Sequence, residues 1–219
     1  VHAAPPASRP LPDGQPPDSQ ADGHARADAI LALARAAFVD KGFDGASMQD
    51  LARAAAMSAG NLYRYFPSKA AIVEALIARD LAGVEEGFRA IVAAPDPHAA
   101  LIAALHHKMS EAGCQGDDAL WAEIAAAARR KPEVGRALGR LEDAITRRVA
   151  QVIGVLGGVP EAEAERRFAT HAQAIFLLMH GALTGRPAEG PRDGALVPLL
   201  IRIIEGVIAD ALGRPTDIP

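Results

Sequence analysis

The stretch Ser47–Lys69 leaves this chain fewer conformational options than any other part of its 219 residues. Ser47, followed three residues later by Asp50, has the pattern of a capping box, in which hydroxyl and carboxylate take up amide groups that a helix start leaves unpaired. Ser58 offers a second start soon after. Pro67 disfavours helical dihedrals at the residue before it, so the helix begun at Ser58 reaches only to Phe66. Ser68 is then placed to cap a third helix. A helix of about two turns does not persist alone in water and must be held by packing. Leu62 and Phe66, spaced i and i+4, supply its inward face. The outward face carries Ala59, Asn61, Tyr63 and Arg64, and no acid occurs from Met57 through Ala71. A short helix packed from behind and free of acids in front suits the major groove of DNA, with its N-terminal residues at base edges and its flanks at phosphates. Tyr63, Arg64 and Lys69 are the expected phosphate partners, and Asn61 the expected reader of a base edge.

The same residues resemble a known family. Ser47, the triplet Asp50-Leu51-Ala52, Ala55, Ser58, Gly60, the block Leu62-Tyr63-Arg64-Tyr65-Phe66 and the pair Ser68-Lys69 match the tetracycline-repressor (TetR) family of bacterial transcription regulators, as do Ala37-Phe38 and Gly42-Phe43 before them. The match runs roughly from Ala27 to Leu81. It implies an all-α protein: an N-terminal three-helix helix-turn-helix domain joined by a long helix to a C-terminal helical ligand-binding and dimerisation domain. It further implies a ligand-responsive DNA-binding regulator, a homodimeric repressor released from its operator by a small apolar or amphipathic effector, with no cofactor and no enzymatic activity. The alternatives are an activator or a regulator of the same fold that answers no ligand, and, from another class, a helical small-molecule-binding protein with a vestigial head. Carried onto this chain, the DNA-contacting set is Ser47, Gln49, Ser58, Ala59, Gly60, Asn61, Tyr63, Arg64, Tyr65 and Lys69.

The chain departs from the family at the turn, where Gly and then Val are usual and Ala56 and Met57 stand here. A residue with a Cβ is less comfortable at positive φ, so a strained turn is expected. Ala59 stands where the family often has a long polar or basic residue. Its methyl suits contact with a thymine methyl and not a bidentate bond to guanine.

Half of the residues are hydrophobic, and aromatic and β-branched types are sparse beside Ala, Leu and Arg, which supports an all-α chain. No apolar run reaches the ~18 residues of a membrane span and no charged start precedes an apolar core, so a cytoplasmic protein is expected. The single cysteine, Cys114, has no internal disulfide partner and reads as a small apolar residue. Net charge is −4, yet residues 26–80 hold seven Arg and Lys against six Asp and Glu. An acidic remainder repels phosphates from all but the reading head and so orients more than it attracts.

Along the chain, residues 1–24 are a Pro-rich tail read as disordered, residues 25–70 the DNA-binding domain and residues 71–214 the ligand-binding and dimerisation domain. The first helix is expected from about Ala25 to Lys41, with Ile30, Leu33, Ala34, Ala37 and Phe38 as its buried stripe and Gly42 as its end. The fourth runs on past Ile91 to Pro95 and is long enough to act as a lever. Helices follow over about 98–113, 118–130, 132–157, 160–183 and 194–212. The last of these is apolar on more than one face, which calls for two partners. The resemblance makes the second partner another subunit, through Phe168, Ile175, Met179, Leu183, Leu200, Ile204 and Ile208. His107, Trp121, Ile124 and Phe176 are the candidate ligand-binding residues, Trp121 because it offers a large flat surface with one donor. His106 and His107 point to different helix faces and lack an i+4 ligand partner, so no metal site is expected. His171 and His180 also lack one and read as hydrogen-bonding groups within a pocket or across a dimer. No phosphate loop, paired carboxylates or Ser, His, Asp arrangement of known spacing appears, and Gly157-Gly158 reads as a helix terminator.

Overall fold

The computed structural model describes residues 20–109, 117–184 and 194–215, with side chains placed from residues 25 and 120 onward in the first two stretches. Residues 1–19 of the Pro-rich tail, and Cys114, lie outside the described residues. Those described form α1 (Gln20–Gly45), α2 (Met48–Ala54), α3 (Ala59–Tyr65), α4 (Lys69–Ala93), α5 (Pro97–Met109), α6 (Asp117–Ala128), α7 (Pro132–Gly157), α8 (Glu161–Arg167), α9 (Ala169–Thr184) and α10 (Leu196–Ala211), with no strand among them. None of these helices is long and apolar enough to cross a membrane. The chain divides into two compact units between Leu76 and Ile77, inside α4.

In the first unit α1 starts at Gln20, ahead of the start expected near Ala25. Gly42 interrupts it at φ 71, ψ 166, a conformation open in practice only to glycine. The chain there turns Phe43 back onto Phe38, ring centroids 5.8 Å apart. The buried stripe of α1 is Ile30, Leu31, Ala34 and Phe38, whereas Leu33, expected in it, is exposed. Successive helical residues are turned by about 100°, so a core centred on Ile30, Ala34 and Phe38 takes Leu31 on one flank and leaves Leu33 on the other.

The α2–α3 turn has a distinct backbone. Ala56 sits at φ 51, the one non-glycine at positive φ among the described residues. The turn holds because the residues on both sides are engaged: Ala55 is 2% exposed, and the Met57 amide donates to the Ala52 carbonyl at 3.0 Å.

In the second unit α7 packs against α6, α8 and α9, and α10 lies against α9 and α5. The core gathers Leu101, Met109, Val152, Ile153, Phe168, Ile175 and Ile204. The single helix expected over 160–183 is two helices, α8 and α9, separated at Phe168 with φ −107, ψ 8. The reason lies in the polarity of its first part. In α8 only Ala164 is buried, and it packs so tightly on α7 that a Cβ built at Gly154 would come within 2.4 Å of the Ala164 Cβ. Past Phe168 the chain takes a new direction in which Ala172, Ile175 and Phe176 are buried. Gln151 of α7 secures the polar side of α8 by donating to Glu161 at 2.7 Å and Glu165 at 2.9 Å.

Ala56→Gly removes the steric conflict at φ 51 and is expected to stabilise the first unit by about 1 kcal/mol, less the entropy that glycine adds to the unfolded chain. The check is a rise in the urea midpoint at unchanged m-value; a lowered midpoint would mean that the turn stores no strain.

Candidate nucleic-acid interface and ligand cavity

The start of α2 is locked by a network around Asp50. The Ser47 hydroxyl accepts from the Asp50 amide at 3.1 Å, while Asp50 Oδ2 accepts from the Ser47 amide at 3.0 Å and from the Ser47 hydroxyl. Lys41, from the last turns of α1, donates to Asp50 Oδ1 at 2.8 Å. The Lys41 ammonium, and after it the two Ser47 bonds, hold the Asp50 carboxyl well below the usual aspartate value. The Ser47 hydroxyl, in the candidate DNA-contacting set, thus has its proton engaged within the protein. Gln49, two residues after Ser47, is exposed.

Ser58 caps α3 by accepting from the Asn61 amide at 3.2 Å. Leu62 is fully buried and Phe66 nearly so. On the other side Gly60, Tyr63 and Arg64 are exposed, Tyr63 at 52%, while Ala59, Asn61 and Tyr65 are half-buried. The outward surface of α3 therefore offers one phenol and one guanidinium beside small groups, with space about Gly60 where a Cβ would meet nothing within 4 Å.

Lys69 differs from the other candidates. Its ammonium donates to the carbonyls of Phe43 at 2.7 Å and Asp44 at 3.2 Å and lies 4.8 Å from the centroid of the Phe43 ring. Two of its three protons fasten the segment of α1 that follows its interruption at Gly42. The side chain is a clamp within the unit, a role invisible in the sequence because backbone carbonyls 25 and 26 residues away carry no residue-type signal.

The second unit holds an open-sided cavity of about 600 Å³, within the range of small-molecule sites. Trp121 and Phe176 line it. His107 is exposed and Ile124 is 1% exposed in the core, and neither is part of the wall. His180 of α9, one of the two histidines read as a pocket or dimer group, is part of the wall and stacks on Phe176 at 5.6 Å, and residues not singled out beforehand complete it, among them Gly83, Gly87 and Phe88 of α4 and Glu142 of α7. Only the i, i+4 recurrence of small and apolar residues along α4 could have pointed to that wall. His171 acts elsewhere: its Nε2 lies 3.1 Å from Asp210 Oδ2 and ties α9 to α10.

Of the residues read as facing a second subunit, Phe168, Ile175, Ile204 and Ile208 are at most 2% exposed and belong to the chain's own core, so they have no surface left for a partner. Met179 and Leu183 line the cavity, and Leu200 packs at the edge of the core. The uncovered apolar side chains of these two helices are Leu177, Leu196 and Leu199. Periodicity identifies that a helix has two apolar sides without saying which side meets the core.

Two predictions come from the first unit. Lys69→Ala is expected to lower its stability by about 1–2 kcal/mol, as loss of a charged hydrogen-bond donor does, measured by urea unfolding. Asp50 ionises more readily folded than unfolded, so its stabilisation is full above the unfolded-state pKa near 4 and disappears as pH falls through the lower folded value. Asp50→Asn is expected to melt below wild type at neutral pH, with the gap closing progressively below about pH 4.

Comparison with known proteins bears on both units. A family model described as bacterial regulatory proteins, tetR family, matches residues 30–76. The HTH-type transcriptional regulator UidR of Escherichia coli (strain K12) is 30% identical over 183 residues, covering 82% of this chain and 91% of UidR. Among solved structures, Salmonella enterica GusR superposes with a TM-score of 0.58 at 23% identity over 84% of this chain and 95% of its own. A transcriptional regulator from Rhodococcus sp. Rha1 gives 0.66 at 21% identity over 84% and 96%. These two likenesses establish a shared fold, and the identity to UidR over nearly its full length establishes kinship. The chain belongs to the tetR family of bacterial transcriptional regulators, DNA-binding proteins that are not enzymes.

Proposed function

We propose that this regulator is a cytoplasmic homodimeric repressor that leaves its operator when a small apolar or amphipathic effector enters the second unit. The observation that carries this reading is the cavity beside Trp121 and Phe176, because its α4 wall belongs to the same continuous helix that begins at Lys69, directly after the reading helix α3. An effector that prefers one position of the 79–91 segment biases the whole of α4 and, through it, α3. A coupling of about 1–3 kcal/mol is typical of such linkage and changes operator affinity by roughly 5- to 150-fold.

In this reading Tyr63 and Arg64 meet phosphates, Ala59 and Asn61 meet base edges, and Ser47, Gln49, Ser58, Gly60 and Tyr65 flank them, while Lys69 supports the turn that presents α3. Uncovered Leu177, Leu196 and Leu199 favour a partner subunit on α9 and α10. A two-fold dimer places its reading helices in successive major grooves about 34–36 Å apart.

Operator duplexes selected from a random pool provide the test. Leu177→Glu is expected to scatter light as a monomer and to bind the selected duplex at least tenfold more weakly, a loss of about 1.4 kcal/mol or more. On wild type, an effector is expected to quench Trp121 and release the duplex together. Tight duplex binding by a monomer would sink the dimer, and selective binding that no apolar or amphipathic compound relieves would remove the effector step.

A further inference from the structure

We propose that the cavity of the second unit is built for an aromatic lipophilic cation, an inference that rests on its reading as the effector site. Four charged residues reach the wall: Arg79 and Asp80 of α4, Lys108 of α5 and Glu142 of α7. Their situations differ. Arg79 and Lys108 are exposed, and long stems of this kind keep their charged heads in water. Asp80 and Lys108 already have interaction partners within the protein. Glu142 is half-buried and, among the described residues, has neither a hydrogen-bond nor an ion-pair partner. A half-buried carboxylate that lines a largely apolar wall and has no partner of its own is placed to pair with a ligand cation.

The remaining walls fit the same chemistry. Phe88, Trp121 and the stacked pair Phe176 and His180 surround the space. Aromatic faces carry negative charge density, attract cations and pack well on other rings. Gly83 and Gly87, one turn apart on α4, leave the room for bulky rings: a Cβ at either would meet nothing within 4 Å, so no close packing requires glycine there. The cavity thus combines one unanswered negative charge, several π faces and a helix wall without side chains at two positions.

The test uses the full chain and a pair of probes of nearly the same size and shape with opposite charge, tetraphenylphosphonium and tetraphenylborate, titrated by Trp121 fluorescence and calorimetry. The phosphonium is expected to bind at least tenfold more tightly than the borate. Glu142→Gln is expected to weaken the phosphonium about tenfold without weakening the borate. Gly87→Leu fills the cavity while replacing a poor helix former by a good one; it is expected to weaken both probes at least tenfold and to keep the helical circular dichroism of wild type.

Equal affinities for the two probes, or a phosphonium affinity indifferent to Glu142→Gln, would overturn the cation assignment and leave an effector site of other chemistry. Phosphonium binding indifferent to Gly87→Leu would overturn the cavity as its seat. Operator affinity measured on the same samples separates the two levels: phosphonium that binds as expected and does not loosen the operator complex supports the site and sinks the effector reading on which its role depends.

Discussion

The burial of Leu62 and Phe66 is the constraint on which the reading head depends. With seven residues, α3 makes too few internal hydrogen bonds to hold itself, and its conformation is imposed by the side it hides. Everything around it serves that packing. Ser58 and Phe66 bound the helix, and the Phe66 amide returns to the Leu62 carbonyl at 2.9 Å. Gly42 turns the chain so that Phe43 meets Phe38, and Lys69 fastens the carbonyls of that turn. The outward face is thereby freed from any structural duty and can be composed for DNA.

Electrostatics inside the first unit follow the same division of labour. Asp50 belongs to α2, the helix before α3, and its charge is answered at once by Lys41 and Ser47, so it orders α2 without projecting an unbalanced negative field. Arg64, which has no partner among the described residues, is left to act outward. A protein of net charge −4 can in this way bind a polyanion, since what matters at contact is the local arrangement and not the sum.

The second unit shows two opposite uses of small residues. At Gly154 the absent Cβ permits α8 to lie directly on α7, and any side chain there would collide with Ala164. At Gly83 and Gly87 the absent Cβ leaves open space. The first use stabilises through close packing. The second sacrifices helix propensity and apolar contact, and such a sacrifice is coherent where the missing contacts are to be supplied by a ligand.

The sequence by itself determined the helical class, the caps at Ser47, Ser58 and Ser68, the stop before Pro67 and the inward pair Leu62 and Phe66, because each follows from interactions within a few residues. It also revealed the awkward turn at Ala56, since positive φ is a local matter. Tertiary structure alone decided that Leu31 and not Leu33 enters the core, that Phe168 separates α8 from α9, and that Lys69 reaches the Phe43 and Asp44 carbonyls. It decided too that Ile175 and Ile204 belong to the chain's own core while Leu177 remains uncovered, and that Glu142 and Gly87 share a cavity with Trp121. The physical reason is common to all of these: helical periodicity records that a side is apolar, whereas the partner of that side, and the space left between partners, depend on residues distant in the chain.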